Sequence, residues 1–160
     1  MGSDIDMKRI LIVYDTKGGT TKEIIGWIRD GAVSGGAYVD VRDARGPISA
    51  LNYDLIVAGS PIYGERPMES VLRFLRRDDL HSHRIALFVV CYAGVFGMRN
   101  FMVRRYLDEL QAYCKGHVIY ETSFDAASGP WRKLNREICI DFGRMLAGTV
   151  HRPPEAIESA

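Results

Sequence analysis

The stretch that most constrains this chain is residues 8–21, KRILIVYDTKGGTT. Arg9 and Ile10 lead into an almost uninterrupted β-branched and aliphatic run ending at Tyr14, and a polar loop holding Gly18 and Gly19 follows at once. An apolar run of that length with a turn behind it reads as a strand buried on both faces. A helical pattern begins near Thr21, so the loop delivers the chain to a helix N-terminus, where free backbone N–H groups can receive an anion.

The rest of the chain alternates in the same way. Residues 21–33 place Ile24, Ile25, Trp27, Ile28 and Ala32 at helical spacing, closed by Gly35 and Gly36. Residues 37–41 read as a short edge strand, and residues 47–51 as at most one helical turn. Residues 54–58 are a third, buried strand whose C-terminal loop is 59–66. A helix over 67–77 starts on Pro67 and carries Met68, Val71, Leu72 and Leu75 on its apolar side. A strand over 84–90, a Gly-bearing loop over 91–98, and a helix over 99–113 packing through Phe101, Met102, Leu107 and Leu110 come next. Residues 117–120 make a fifth strand, 121–129 a polar connection, and 131–146 the last helix.

Strands separated by helices imply a mostly parallel sheet covered on both faces, because parallel neighbours need crossovers. Ligands of such sheets sit outside the C-terminal ends of the strands, where the strand order switches. The loops 15–20, 60–66 and 92–98 have that location. With 160 residues, 47% of them hydrophobic, residues 7–150 are expected to form one domain, with a loose start at 1–6 and a loose tail at 151–160.

Other function classes lose ground on composition and motif. The formal charge is +1, from 21 basic and 20 acidic residues, which gives no reason to expect nucleic acid. No apolar run approaches the length needed to cross a bilayer, and Asp4 and Asp6 precede the first apolar stretch, so a cytoplasmic location is expected. Cys91, Cys114 and Cys139 are too far apart for a redox pair or zinc knuckle and read as buried thiols. His81 and His83 lack further ligands nearby, and no metal centre is expected. No catalytic triad is visible. Receiver-domain, P-loop and dinucleotide-binding motifs are missing from the loops that would carry them.

The segment YDTKGGTTKEI, from Tyr14 to Ile24, resembles the phosphate-binding signature of the flavodoxin-like proteins. AGSPIYG, ending at Gly64, and CYAGVFG, starting at Cys91, fall where that family places the two loops around the isoalloxazine ring of FMN. The resemblance covers essentially the whole chain and is closest to the short-chain form. It implies an α/β three-layer sandwich with a five-stranded parallel sheet in the order 2-1-3-4-5. It also implies FMN as cofactor, held by Asp15, Thr16, Lys17, Gly18, Gly19, Thr20 and Thr21 at the phosphate and by Ser60, Pro61, Ile62, Tyr63 and Gly64 at the ring. Tyr92, Ala93, Gly94 and Phe96 would complete the ring site. Tyr63 is expected on one face of the ring and Tyr92 or Phe96 on the other. Gly64 is expected to turn a carbonyl toward flavin N5, and Ala93 and Gly94 to offer backbone donors to the pyrimidine edge.

The implied activity is electron transfer, with the flavin cycling between oxidised and one- or two-electron reduced forms. Donor and acceptor would be a redox partner protein or a small molecule. The near-neutral charge departs from the acidic pattern of electron-shuttling flavodoxins. Arg66, Arg73, Arg76, Arg77, Arg84, Arg99, Arg104 and Arg105 follow the two ring loops in sequence, as solvated helix faces or as a positive rim for an anionic substrate, an acidic protein or a membrane surface. An oxidoreductase such as a menaquinone-dependent protoporphyrinogen oxidase or a quinone reductase is therefore kept as an alternative. A non-catalytic module that has lost FMN is another.

Overall fold

Period-two alternation along the central strands sorts their side chains into two separate cores. In the computed structural model, which describes residues 7–15, 19–63, 66–91, 99–126 and 131–149, the elements in chain order are β1 (Arg9–Tyr14), α1 (Thr20–Ser34), β2 (Tyr38–Asp43), β3 (Leu55–Tyr63), β4 (Arg66–Pro67), α2 (Glu69–Leu75), β5 (Arg84–Cys91), α3 (Arg99–Tyr113), β6 (His117–Asp125) and α4 (Trp131–Thr149). A 3-10 turn, Asp78–Leu80, lies between α2 and β5. Ile10, Ile12, Leu55, Val57, Ala86, Phe88 and Val90 face α1 and α4. Their neighbours Leu11, Val13, Ile56, Ala58, Ile85, Leu87 and Val89 face α2 and α3. Both faces of the sheet are thus covered, as its unbroken apolar strands require.

The sheet runs in the order β2-β1-β3-β5-β6, all parallel, with β4 paired antiparallel to β3. This is the expected five-strand order with one short strand added. β3 runs five residues past its expected end at Ala58, to Tyr63, because its GSPIY segment pairs with β5 as far as Pro61 opposite Val90 and then folds back onto β4. Pro67 belongs to β4, and α2 starts at Glu69 rather than at the proline. β6 continues to Asp125 on backbone pairing with β5, with Ile119 skipped between the pairs Ile85–Val118 and Ala86–Tyr120. Residues 47–51 form no helix. Cys91 ends β5 half-buried, Cys114 is also half-buried, and only Cys139 of the three expected buried thiols is fully buried. Phe101 of α3 is exposed rather than packed.

The α1 and α4 helices meet at glycines. A Cβ on Gly31 would stand 1.9 Å from the Ile140 carbonyl oxygen, and one on Gly143 would stand 2.1 Å from that of Ile28, so the backbones touch directly. Lys8, buried before β1, donates from Nζ to the carbonyl oxygen of Ala147 at 2.6 Å. That bond places a cation on the C-terminal carbonyls of α4, where the helix dipole favours it.

Candidate functional site

The three loops singled out by sequence leave adjacent strands at one edge of the sheet. Tyr14 pairs with Gly59, so Asp15 and Ser60 follow on the next rung, and Pro61 pairs with Val90, which sets Cys91 level with Ile62. Between β1 and β3 the chain switches sides: α1 leads from β1 to the outer strand β2, and α2 leads from β3 the other way to β5. An open crevice at the C-terminal strand ends is the expected ligand site of such a sheet.

At the first loop, Gly19 caps α1 in the left-handed region, with φ +87°, and a Cβ built on it would meet nothing within 4 Å. Glycine supplies that conformation without strain and leaves the approach open. Among the described residues no side chain caps α1, and Thr20 is exposed and Thr21 buried in its first turn, where helical N–H groups lack partners within the helix. Glu23 in the first turn would repel an anion, but its carboxylate is bound by Arg132 of α4 through two hydrogen bonds. Backbone donors, hydroxyls and a neutralised carboxylate make a donor set that suits a phosphate.

Asp15 is placed differently from its neighbours in the sequence. Period two carries it from Leu11 and Val13 to the α2 side, where its buried carboxylate accepts a 2.5 Å hydrogen bond from Ser70 Oγ and lies 3.5 Å from Arg45 Nε. Arg45 also bonds both oxygens of Asp43, which holds that carboxyl below its ordinary range. The side chain of Asp15 therefore ties the first loop to α2 and to the turn after β2. Sequence reasoning missed Ser70 and Arg45. The available signal was a hydroxyl in the first turn of α2 and an arginine two residues after Asp43 in a Gly-containing turn.

Ser60 is buried and fully engaged: its Oγ donates to the Pro61 carbonyl at 2.8 Å and accepts from the Met68 N–H at 2.8 Å. It clamps the β3–β4 hairpin to the start of α2 and so fixes where Tyr63 leaves the sheet. Pro61 is buried and Ile62 half-buried, pairing with Pro67. The Tyr63 backbone pairs with Arg66. The Tyr63 side chain, with Thr16, Lys17, Gly18, Gly64, Tyr92, Ala93, Gly94 and Phe96, lies outside the described residues.

Of the eight arginines proposed as a rim, four are paired with carboxylates among the described residues. Arg66 binds Glu109, Arg76 binds Glu69, Arg77 binds Asp79, and Arg104 binds Asp108 and Glu121. Arg84 begins β5, at the sheet edge opposite the three loops. Among the described residues no group of three or more His, Cys, Asp or Glu side chains is placed to hold a metal ion, and no helix is long and apolar enough to cross a membrane.

Residues 11–121 match the family defined by the flavodoxin domain. No curated protein sequence matches the chain. Among solved structures, a short-chain flavodoxin associated with a non-canonical PDU bacterial microcompartment superposes with a TM-score of 0.67 at 18% identity, over 90% of this chain and 99% of that one. Oxidised flavodoxin 1 from Bacillus cereus gives 0.64 at 18% identity, over 91% and 100%. The flavodiiron protein from Giardia intestinalis gives 0.65 at 18% identity over 90% of this chain, which spans 36% of that longer protein.

Proposed function

The chain belongs to the flavodoxin family, and from that premise we propose that it binds FMN across the C-terminal ends of β1, β3 and β5 and works as an electron carrier. Proteins of this family bind flavin, typically FMN, and pass electrons to partner proteins. The observation that carries the reading is the start of α1 behind the left-handed Gly19, set at the switch between β1 and β3. Bound there, FMN supplies the redox chemistry in one- or two-electron steps.

The chain's own residues hold and shield the cofactor. Gly19, Thr20 and Thr21 offer backbone and hydroxyl donors to the phosphate, joined by Thr16, Lys17 and Gly18. Asp15 holds the loop from behind through Ser70 and leaves the phosphate-facing work to its neighbours. Ser60, Pro61 and Ile62 set the corner from which Tyr63 covers one face of the ring, with Tyr92 or Phe96 on the other face to exclude water. Gly64 offers its carbonyl toward N5, and Ala93 and Gly94 their N–H groups toward the pyrimidine edge. Cytoplasmic exchange with a redox protein or small molecule accords with this role. The near-neutral charge supports the oxidoreductase alternative as a second reading, in which an anionic substrate meets the flavin directly.

Absorbance titration of the apoprotein with FMN, followed by anaerobic stepwise reduction, tests both readings. Saturation at one equivalent is expected, with a one-electron reduced form accumulating for a carrier and direct passage to the two-electron form for an oxidoreductase. Thr21→Ala should weaken FMN binding about tenfold, the loss of one hydrogen bond to a charged group at about 1.5 kcal/mol. Its melting temperature should fall by only about 5 °C. A protein that takes up no FMN would overturn the proposal.

A further inference from the structure

The sheet has two outer strands among the described residues, and they are protected differently. β2 carries Asp40, Arg42 and Asp43, charges of the kind that keep an edge from pairing with another chain. β6 closes the other side, and between Val118 and Phe124 its one charge is Glu121, which Arg104 of α3 binds through two hydrogen bonds. The bulge at Ile119 confines the regular part of this edge to residues 120–125. Beside it lies an apolar surface. Tyr120 turns to the α4 face, 5.8 Å from the centre of the Phe142 ring, and is 40% exposed. On α4, Cys139, Phe142 and Leu146 face the sheet, while Ile140 and Gly143 meet α1. Leu134 and Ile138, one turn apart, therefore stand on the side turned from α1 toward β6, and they are 51% and 48% exposed. Asp141, next along that side, is bonded by Arg144.

We propose that this edge is a self-association surface, on which a second copy of the chain lays its β6 antiparallel to the first. With the two-fold axis at Thr122, Tyr120 faces Phe124 of the second copy and Glu121 faces its Ser123. No like charges then meet across the seam, and aromatic residues pair there. Such an axis stands perpendicular to the sheet, so the two α4 helices lie on the same face, side by side. That decides the occupant. A lone extended peptide would pair the edge in the plane of the sheet and leave Leu134 and Ile138 in water, whereas a second copy covers them with the same apolar side of its own α4. Glu121 and Asp141 are both compensated, so the surface does not select a charged partner, and a chain of formal charge +1 repels its own copy little. The crevices at the C-terminal strand ends fall at opposite ends of the joined sheet, and the proposal does not rest on the FMN reading.

Sedimentation velocity of the full chain over a rising concentration series, with and without FMN, should show a species of twice 18.0 kDa in both states. Ile138→Arg, which puts a charge in the seam, should raise the concentration needed for dimerisation at least tenfold. Val33→Arg, equally exposed but on α1, should leave it unchanged. Because Ile138 is half exposed its replacement keeps the fold, which a cooperative melt checks. Thr122→Cys should form a covalent dimer on oxidation where the parent, with Cys91, Cys114 and Cys139, does not, since directly opposed strand residues stand within disulfide reach. Unchanged association in Ile138→Arg, equal loss in Val33→Arg, or no covalent dimer from Thr122→Cys would each overturn the proposal. So would a monomer at every concentration, which would leave the edge to an extended segment of another protein.

Discussion

The Phe88 ring occupies the space that a side chain on Gly59 would need. The two residues pair across β3 and β5, and a Cβ on Gly59 would stand 1.9 Å from Cζ of the ring. The ring is wedged there because its other side packs edge-on against Phe124, at 5.5 Å between centroids. Gly59, at the head of GSPIY, is therefore a packing requirement of the α1/α4 core, three residues before Ile62, where the hairpin that carries Tyr63 begins.

Gly59→Ala is expected to destabilise the protein by about 3 kcal/mol through overpacking. Trimming the ring in Gly59→Ala/Phe88→Leu should recover part of that loss, a coupling that urea denaturation of the single and double variants measures. Strict additivity would show that the two residues do not compete for the same space.

Glycines on α1 divide by what surrounds them. Gly31→Ala places a methyl group against the Ile140 backbone and must force α1 from α4, at a cost of about 2 kcal/mol or more. Gly26→Ala, on the same helix, meets nothing within 4 Å and should stabilise by about 0.5 to 1 kcal/mol through helix propensity. Thermal melts of both variants should therefore shift in opposite directions.

Stability should fall on the alkaline side. Burial pushes the Cys139 thiol from 9.0 up to about 12. The Tyr53 phenol is also raised, first by burial and then by its hydrogen bond to Asp40. A group whose folded pKa is raised gives stability that is fully present below its unfolded pKa and lost as pH rises through the folded one. Lys8 works the other way, since burial lowers its pKa from 10.5 and deprotonation then favours the fold. In Cys139→Ala the urea midpoint should decline less steeply between pH 9 and 12 than in the parent, whatever constant loss the smaller side chain brings. Parallel slopes would count against the buried thiol as a source of the alkaline loss.

How far the fold was legible depended on how each strand is stabilised. β1 and β5 announce themselves because both faces are buried, and RILIVY and RIALFVVC leave no other reading. β6 past Tyr120 reads as polar connection because its ETSFD segment lies at the sheet edge, where backbone pairing with β5 rather than apolar content keeps it extended. The end of β3 was hidden for a related reason. Gly59, Ser60 and Pro61 are loop-forming residues by composition, yet Phe88 needs the glycine and the Ser60 hydroxyl replaces a turn with a clamp onto Met68. At the site, the glycine that opens the approach to α1 was visible in GGTT. The engagement of Asp15 by Ser70, 55 residues away, was not, because it follows from which side of the sheet the residue faces.

The bond from Lys8 to Ala147 joins the entrance of the first strand to the exit of the last helix, at the edge of the sheet opposite the three loops. A domain closed in this way can be spliced into a longer polypeptide with both tethers leaving side by side. A chain attached at either end would start from the side of the domain opposite the crevice. Fraying at either tether also loosens the other, which makes Lys8 a latch shared by two ends that are 139 residues apart in the chain.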